Sequence, residues 1–157
     1  VMFTSTAPLK IIVTGRINQF LSAFGEHVIV KEVENAIEQT CTKTGVIVNE
    51  FTVAPKFSTD NTASYHEWFI DFDSETADLA GFEQNLDLNM QSQNKYYQDL
   101  IQGKVIKSLK IRRVSKKGFN IYMDSIGKLG GQNKIPKISN DRKIADQLYK
   151  LELVIKG

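Results

Sequence analysis

The amino-acid sequence predicts an α+β fold: a mixed or antiparallel sheet covered by helices, ordered β-α-β-β-α-β-α-α from the second strand onward. Three observations carry that expectation. Short β-branched runs such as Lys10-Ile11-Ile12-Val13-Thr14 are bounded by turn residues. Between them lie stretches whose apolar residues recur every three or four positions, the spacing of one helix face. The chain has 157 residues, 41% hydrophobic and 24% charged, which suits one domain with its own core and excludes a disordered composition.

Pro8 marks a turn before the first strand, residues 10–14, which stops at Gly15. Residues 17–24 read as a second strand, ending at Gly25. Val30, Val33, Ile37 and Cys41 predict an amphipathic helix over 30–44, with Gly45 as its C-cap. Cys41 falls on the apolar stripe and reads as a small core residue, since no histidine lies near it in sequence. Residues 47–54, ending at Pro55, put Phe51 and Val53 on one face. Residues 66–72 put Trp68, Ile70 and Phe72 inward and Glu67 and Asp71 outward. These two strands form a hairpin around the polar loop 56–64. His66 shares the core-facing parity and reads as a satisfied strand-end histidine rather than a ligand. Leu79, Phe82, Leu86, Met90, Tyr97 and Leu100 fit one face of a single long helix over 76–102, closed by Gly103. Leu109 and Ile111 mark a further strand. Residues 118–128 form a short helix and 129–137 a glycine-rich loop. Asn140 caps a last helix through Leu148, and 151–155 read as a closing strand.

No run approaches the ~18 apolar residues of a membrane helix. One cysteine excludes an intrachain disulfide, and with only His27 and His66 no metal site is assigned. A reducing, cytoplasmic setting is the default. Val1 opens directly on β-text with no signal-peptide pattern, so the chain reads as a piece of a longer protein. The net charge of +2 hides a split: residues 104–143 carry twelve Lys/Arg and two acids, a local +10, against −8 elsewhere. Such a segment suits an anionic partner or forms a solvated face. No aromatic RNA-binding signature or helix-turn-helix interrupts it, so nucleic acid is not expected.

Three segments carry candidate chemistry. Gly15-Arg16 with Ile17-Asn18 stands at a strand end, where glycine suits either a hinge or an ordinary turn. Ala23-Phe24-Gly25-Glu26-His27 presents an acid and an imidazole, fit for proton transfer or, through Glu26, for the next helix N-terminus. Residues 127–137 combine Gly130-Gly131, Gln132, Asn133 and the lysines Lys128, Lys134 and Lys137. Flexible backbone with ammonium groups suits a phosphate or a developing negative charge, although the Gly-Lys-Ser/Thr ending of a Walker loop is missing.

Together these segments resemble the C-terminal domain of the plant auxin-responsive (Gretchen Hagen) family of acyl-acid amido synthetases, within the adenylate-forming enzymes. The similar text includes Phe3-Thr4-Ser5, Pro8, Thr14-Gly15-Arg16, Asn18, Ala23-Phe24-Gly25-Glu26 and Val53-Ala54-Pro55. It continues through His66-Glu67-Trp68, Asn94-Lys95-Tyr96-Tyr97-Gln98-Asp99-Leu100 and Gln132-Asn133-Lys134-Ile135-Pro136, in the family's order. The resemblance implies a two-step ligase: ATP, with magnesium, adenylates a small carboxylic acid, and the amine of an amino acid then displaces AMP to give an amide. Residues 1–16 would be the remnant of the large N-terminal adenylation domain plus the hinge, and 17–157 the mobile C-terminal domain. Gly15, Arg16, Ile17 and Asn18 would be the hinge, and Phe24, Gly25 and Glu26 the loop offered to the cleft during amide formation. Lys134 would be the catalytic lysine at the adenylate phosphate, with Lys128 and Lys137 as secondary basic residues. Lys137 departs from the family, which often has Arg there, and Ile17-Asn18 lacks the wider superfamily's Asp or Lys. The phosphate loop of the large domain is missing, so the fragment is expected to bind no cofactor and to be inactive alone. The alternative is a stand-alone α+β module binding a nucleotide, RNA or an acidic protein through residues 104–143.

Overall fold

The structure, a computed structural model, describes residues 2–6, 9–12, 20–58, 63–75, 78–130 and 133–155, with side chains from residue 20 onward. In chain order its elements are β1 (Met2–Thr6), β2 (Leu9–Ile12), β3 (Phe20–Leu21), β4 (Val28–Ile29), α1 (Val30–Thr44) and β5 (Val48–Lys56). β6 (Tyr65–Phe72), α2 (Leu79–Gln93), α3 (Lys95–Gln102), β7 (Lys110–Arg113), α4 (Gly118–Ser125) and α5 (Lys143–Lys150) follow. β1 pairs with β2 and β3 with β4, each as a two-stranded antiparallel ribbon. β5, β6 and β7 form a three-stranded sheet in that order, antiparallel between β5 and β6 and parallel between β6 and β7. The parallel step needs a crossover, which α2 and α3 provide. This is the mixed α+β architecture read from the sequence.

The sheet is covered on both faces. Phe51, Val53, Trp68, Ile70 and Phe72 pack with α1, α2 and α3 in one core. Ala54 and Phe69 pack with α4 and α5 in a second. Residues 51–55 and 66–72 are therefore buried without interruption, as strands with two covered faces are. This corrects the outward placement of Glu67 and Asp71: both are buried, on the face of the second core. Glu67 accepts from Arg112 Nε at 2.8 Å, Arg142 at 2.9 Å and the Tyr149 hydroxyl at 3.0 Å, so its buried charge is matched. Pro55 sits within β5, not after it. Val53 uses its N–H and C=O on the outer edge, toward Lys137 and Ser139. Pro55 shares that parity, so its missing N–H costs the β5–β6 ladder nothing.

α1 has the expected bounds. Ile29 N–H donates to Glu32 Oε2 at its start, and Gly45 closes it with φ 71°, its N–H bonded to Cys41 O. Cys41 packs against the first core, where burial raises its thiol above the ordinary value. Elsewhere the elements differ from the reading. The strand expected over 17–24 is described only at Phe20–Leu21, because the chain turns at 22–27 to pair it with β4. The single helix over 76–102 is two helices, broken at extended Asn94. Asn94 N–H bonds Met90 O, and its side chain accepts from Tyr97 N at 2.8 Å. The side chain thus caps α3 and offers the backbone a local alternative to continuing the helix. Asn140 does not cap α5. It bonds Ser22 N at 2.8 Å and Phe20 O at 2.6 Å, tying β3 to a segment 120 positions away. Residues 151–155 form one bridge, Val114 to Val154, rather than a strand.

Candidate functional site: a lysine-lined groove

The irregular segment after α4 is anchored at both ends. Gly127 takes φ 67°, and Lys128 N–H reaches back to Met123 O at 2.8 Å, a helix stop that only glycine adopts cheaply. Downstream, Ile135 is buried in the second core, and Thr52 Oγ1 donates to Pro136 O at 2.6 Å. Val53 N–H donates to Lys137 O, and Ser139 N–H donates to Val53 O. Lys134 therefore leaves an exposed loop one residue before a stretch fixed to the sheet edge.

Between this loop and the start of α4 runs a groove of about 430 Å³. Lys116, Lys117, Lys128 and Lys134, all exposed, line it. Phe119, Met123, Leu129 and Ile135 supply its apolar wall, and Asn49, Asn120 and Asn133 supply amides. Two carboxylates also reach it, and both are engaged. Glu50 pairs with Lys137, and Asp71 accepts from Lys117 N at 3.3 Å and from Asn49 Nδ2 at 3.5 Å. The volume falls in the range of small-molecule sites.

Lys128 and Lys134 are thus brought together, while Lys137 is not part of the lining. Its ammonium pairs with Glu50 and lies 4.6 Å from the Phe51 ring centroid. Several other cations of the basic segment are also spent internally: Lys110 on Glu83, Arg112 and Arg142 on Glu67, and Lys143 on Asp141. Lys116 and Lys117 are the groove residues the sequence reading passed over. The signal available was two consecutive lysines just before a helix start, where acids are the stabilising residues.

The loop at 24–26 lies elsewhere. Phe24 is half-buried and Gly25 exposed with φ 93°, while Glu26 is fully buried. Its Oε2 accepts from Phe24 N at 2.7 Å, and its Oε1 meets His66 Nε2 at 2.9 Å. His66 stacks between Phe24 and Tyr97, at 5.8 and 5.0 Å between ring centroids. Glu26 partners His66 rather than His27, whose Nδ1 faces Ser22 Oγ at 3.2 Å. His66 belongs to the parity of β6 that faces the first core, and the groove residue Asp71 to the opposite parity. The 24–26 loop and Lys134 thus sit on opposite faces of the sheet. Gly15, Arg16, Ile17 and Asn18 lie outside the described residues.

The model of the GH3 family C-terminal domain matches residues 31–143, well over half of the chain. The chain belongs to that family. Its fold agrees. This GH3 domain is similar to the solved structure of a GH3.15 acyl acid amido synthetase, at 17% identity and TM-score 0.70, over 90% of this chain and 27% of that one. A second structure, an AtGH3.15 acyl acid amido synthetase in complex with 2,4-DB, matches at 17% identity and TM-score 0.67, over 90% of this chain and 26% of that one. The GH3 domain thus spans about a quarter of the length of these structures. A sequence search of curated proteins finds no match. Among the described residues no helix is long and apolar enough to cross a membrane.

Proposed function

We propose that this GH3 domain is the mobile C-terminal domain of an ATP-dependent ligase that joins a carboxylic acid to an amino acid. In this reading residues 1–16 are the end of a large adenylation domain plus the hinge, and 17–157 turn about Gly15 to Asn18. The acid's carboxylate oxygen attacks the α-phosphorus of ATP, and pyrophosphate leaves. The amino acid's nitrogen then attacks the acyl carbon, loses a proton and expels AMP.

The observation that carries this reading is the disposition of the two loops on a chain of this family. Lys134 stands on one face of the sheet and the Phe24-Gly25-Glu26 loop on the other. One docking pose does not offer both faces to one cleft, whereas a domain that turns between half-reactions offers each in its step. The Lys134 ammonium then stabilises negative charge at the phosphate without titrating. Lys128 adds to the local potential. Magnesium would accompany ATP in the whole enzyme. Among the described residues no group of three or more His, Cys, Asp or Glu could hold a metal ion. A stand-alone module binding through residues 104–143 is the weaker reading, because acids from β5, β6 and α2 already engage several of its cations.

The test is Lys134→Ala in the full-length enzyme. Adenylate formation should slow by about 10²-fold, roughly 3 kcal/mol, as for loss of one preorganised charge. Amide formation from supplied acyl-adenylate should suffer less, and Lys137→Ala should cost less in either step. Equal, small effects of both substitutions on both half-reactions would withdraw the role of Lys134.

A further inference from the structure

We propose that His27 is the proton acceptor of the amide-forming step, taking a proton from the amino acid's nitrogen through Nε2. This rests on the ligase reading above, in which the Phe24-Gly25-Glu26 loop faces the acyl-adenylate as the amide forms, and it adds a residue that reading does not use. Glu26 and His27 are the titratable side chains of the turn 22–27. The fold separates them. Glu26 is fully buried, and both its oxygens are engaged, one by His66 Nε2 and one by the Phe24 N–H. A carboxylate held in this way meets no substrate. Gly25 and His27, on either side of it, are exposed.

The His27 ring is also held in place. Leu21 of β3 pairs with Val28 of β4 across the turn, and both are fully buried. Asn140 fastens the same turn through Ser22 N and Phe20 O. Ser22 Oγ lies 3.2 Å from His27 Nδ1. With Nδ1–H donating to that oxygen, Nε2 keeps its lone pair. Among the described residues Nε2 has no hydrogen-bond partner and His27 makes no ion pair. Phe20 and Tyr96 flank the ring, at 6.0 and 6.2 Å between centroids. An imidazole carried on paired strands, oriented through one nitrogen and open at the other, has the arrangement that general-base catalysis uses. As the C–N bond forms, the attacking nitrogen becomes positive and acidic. Its proton passes to Nε2, the acyl C–O bond breaks with its electron pair leaving on AMP, and the imidazolium returns the proton to water.

The test uses the full-length enzyme with ATP and the carboxylic acid and amino acid it joins fastest, chosen from a panel of aliphatic and aromatic acids and the standard amino acids. His27→Ala should lower kcat for amide formation from supplied acyl-adenylate by about 10²-fold. The KM for the amino acid and the ATP–pyrophosphate exchange should stay nearly unchanged. His27→Asn, which suits the φ of 48° at this position, should lose the same activity with the turn intact. Added imidazole should restore rate to His27→Ala saturably, which no purely structural role of the ring allows. The control, Tyr96→Phe, keeps the flanking ring and should keep the wild-type rate. A loss below about tenfold, a rise in KM alone, an equal loss in both half-reactions, an equal loss on Tyr96→Phe, or no rescue by imidazole overturns the proposal. Absence of exchange by the wild-type enzyme with every acid overturns the ligase reading itself, so the two failures are told apart. Lys134→Ala acts on the first half-reaction, and its outcome leaves the role of His27 in the second untouched.

Discussion

Glu26 and His66 are forty positions apart, yet they form a buried pair in which, among the described residues, neither side chain has another acidic or basic partner. Burial opposes ionisation of Glu26. The hydrogen bond and electrostatic attraction of His66, with the Phe24 N–H, outweigh it and hold the carboxyl below its ordinary value of 4.5. A depressed carboxylate contributes stability that is present above pH 4.5 and is lost as pH falls through the folded-state value. Among the described residues His66 Nδ1 has no hydrogen-bond partner, so loss of Glu26 leaves the ring with both nitrogens unsatisfied. Glu26→Ala should therefore cost about 3 kcal/mol at neutral pH, the scale for breaking one side of a buried pair. In urea titrations the difference from wild type should shrink as pH drops below 4.5. A pH-independent loss under about 1 kcal/mol would mean a neutral hydrogen bond suffices there.

At the scale of elements, Asn94 decides where the helical region divides. Leu79, Phe82, Leu86 and Met90 keep one stripe in α2, and Tyr97 joins the same core from α3. Its hydroxyl then donates to Asp87 Oδ1 at 2.6 Å. Asp87 also accepts from Leu109 N at 3.0 Å, which links α2 to the chain entering β7. Asn94 Nδ2 donates to Glu32 Oε2 at 3.0 Å, so the break also registers α1. Asn94→Ala should lower stability by about 1–2 kcal/mol through loss of the α3 cap. Near-ultraviolet signals from Tyr97 should weaken before helical content does. An unchanged unfolding midpoint would show that the break is set by packing rather than by the cap.

For the whole molecule, one sheet with a core on each face implies that neither helix layer is independent of the other, since both rest on β5 and β6. The 157-residue chain should unfold in one cooperative transition, the same by fluorescence of Trp68 in the first core and by far-ultraviolet dichroism. It should also show no ATP–pyrophosphate exchange with any carboxylic acid. Robust exchange by the chain alone would overturn the proposal that it is one half of a two-domain site.

The order of the main elements, the bounds of α1 and its glycine cap, and the core parity of Trp68, Ile70 and Phe72 follow from the sequence. They rest on periodicity and backbone preference, which act over a few residues. The segment around Lys134 stood out by residue type, and its proposed role came from the family resemblance. Phe69, apolar among positions read as outward, was the sequence's own sign of a second covered face. What only the tertiary structure decided joins residues far apart in the chain. Glu67 is buried because Arg112 and Arg142 arrive from β7 and the start of α5 to neutralise it. Asn140 clamps β3 instead of capping a helix. Within the +10 segment, Lys110, Arg112, Lys137, Arg142 and Lys143 are spent on internal acids, while Lys116, Lys117, Lys128 and Lys134 line the groove. A charge's partner depends on which strands lie side by side. Local pattern gives the sign of each charge, and packing determines whether that charge is neutralised or left for a ligand.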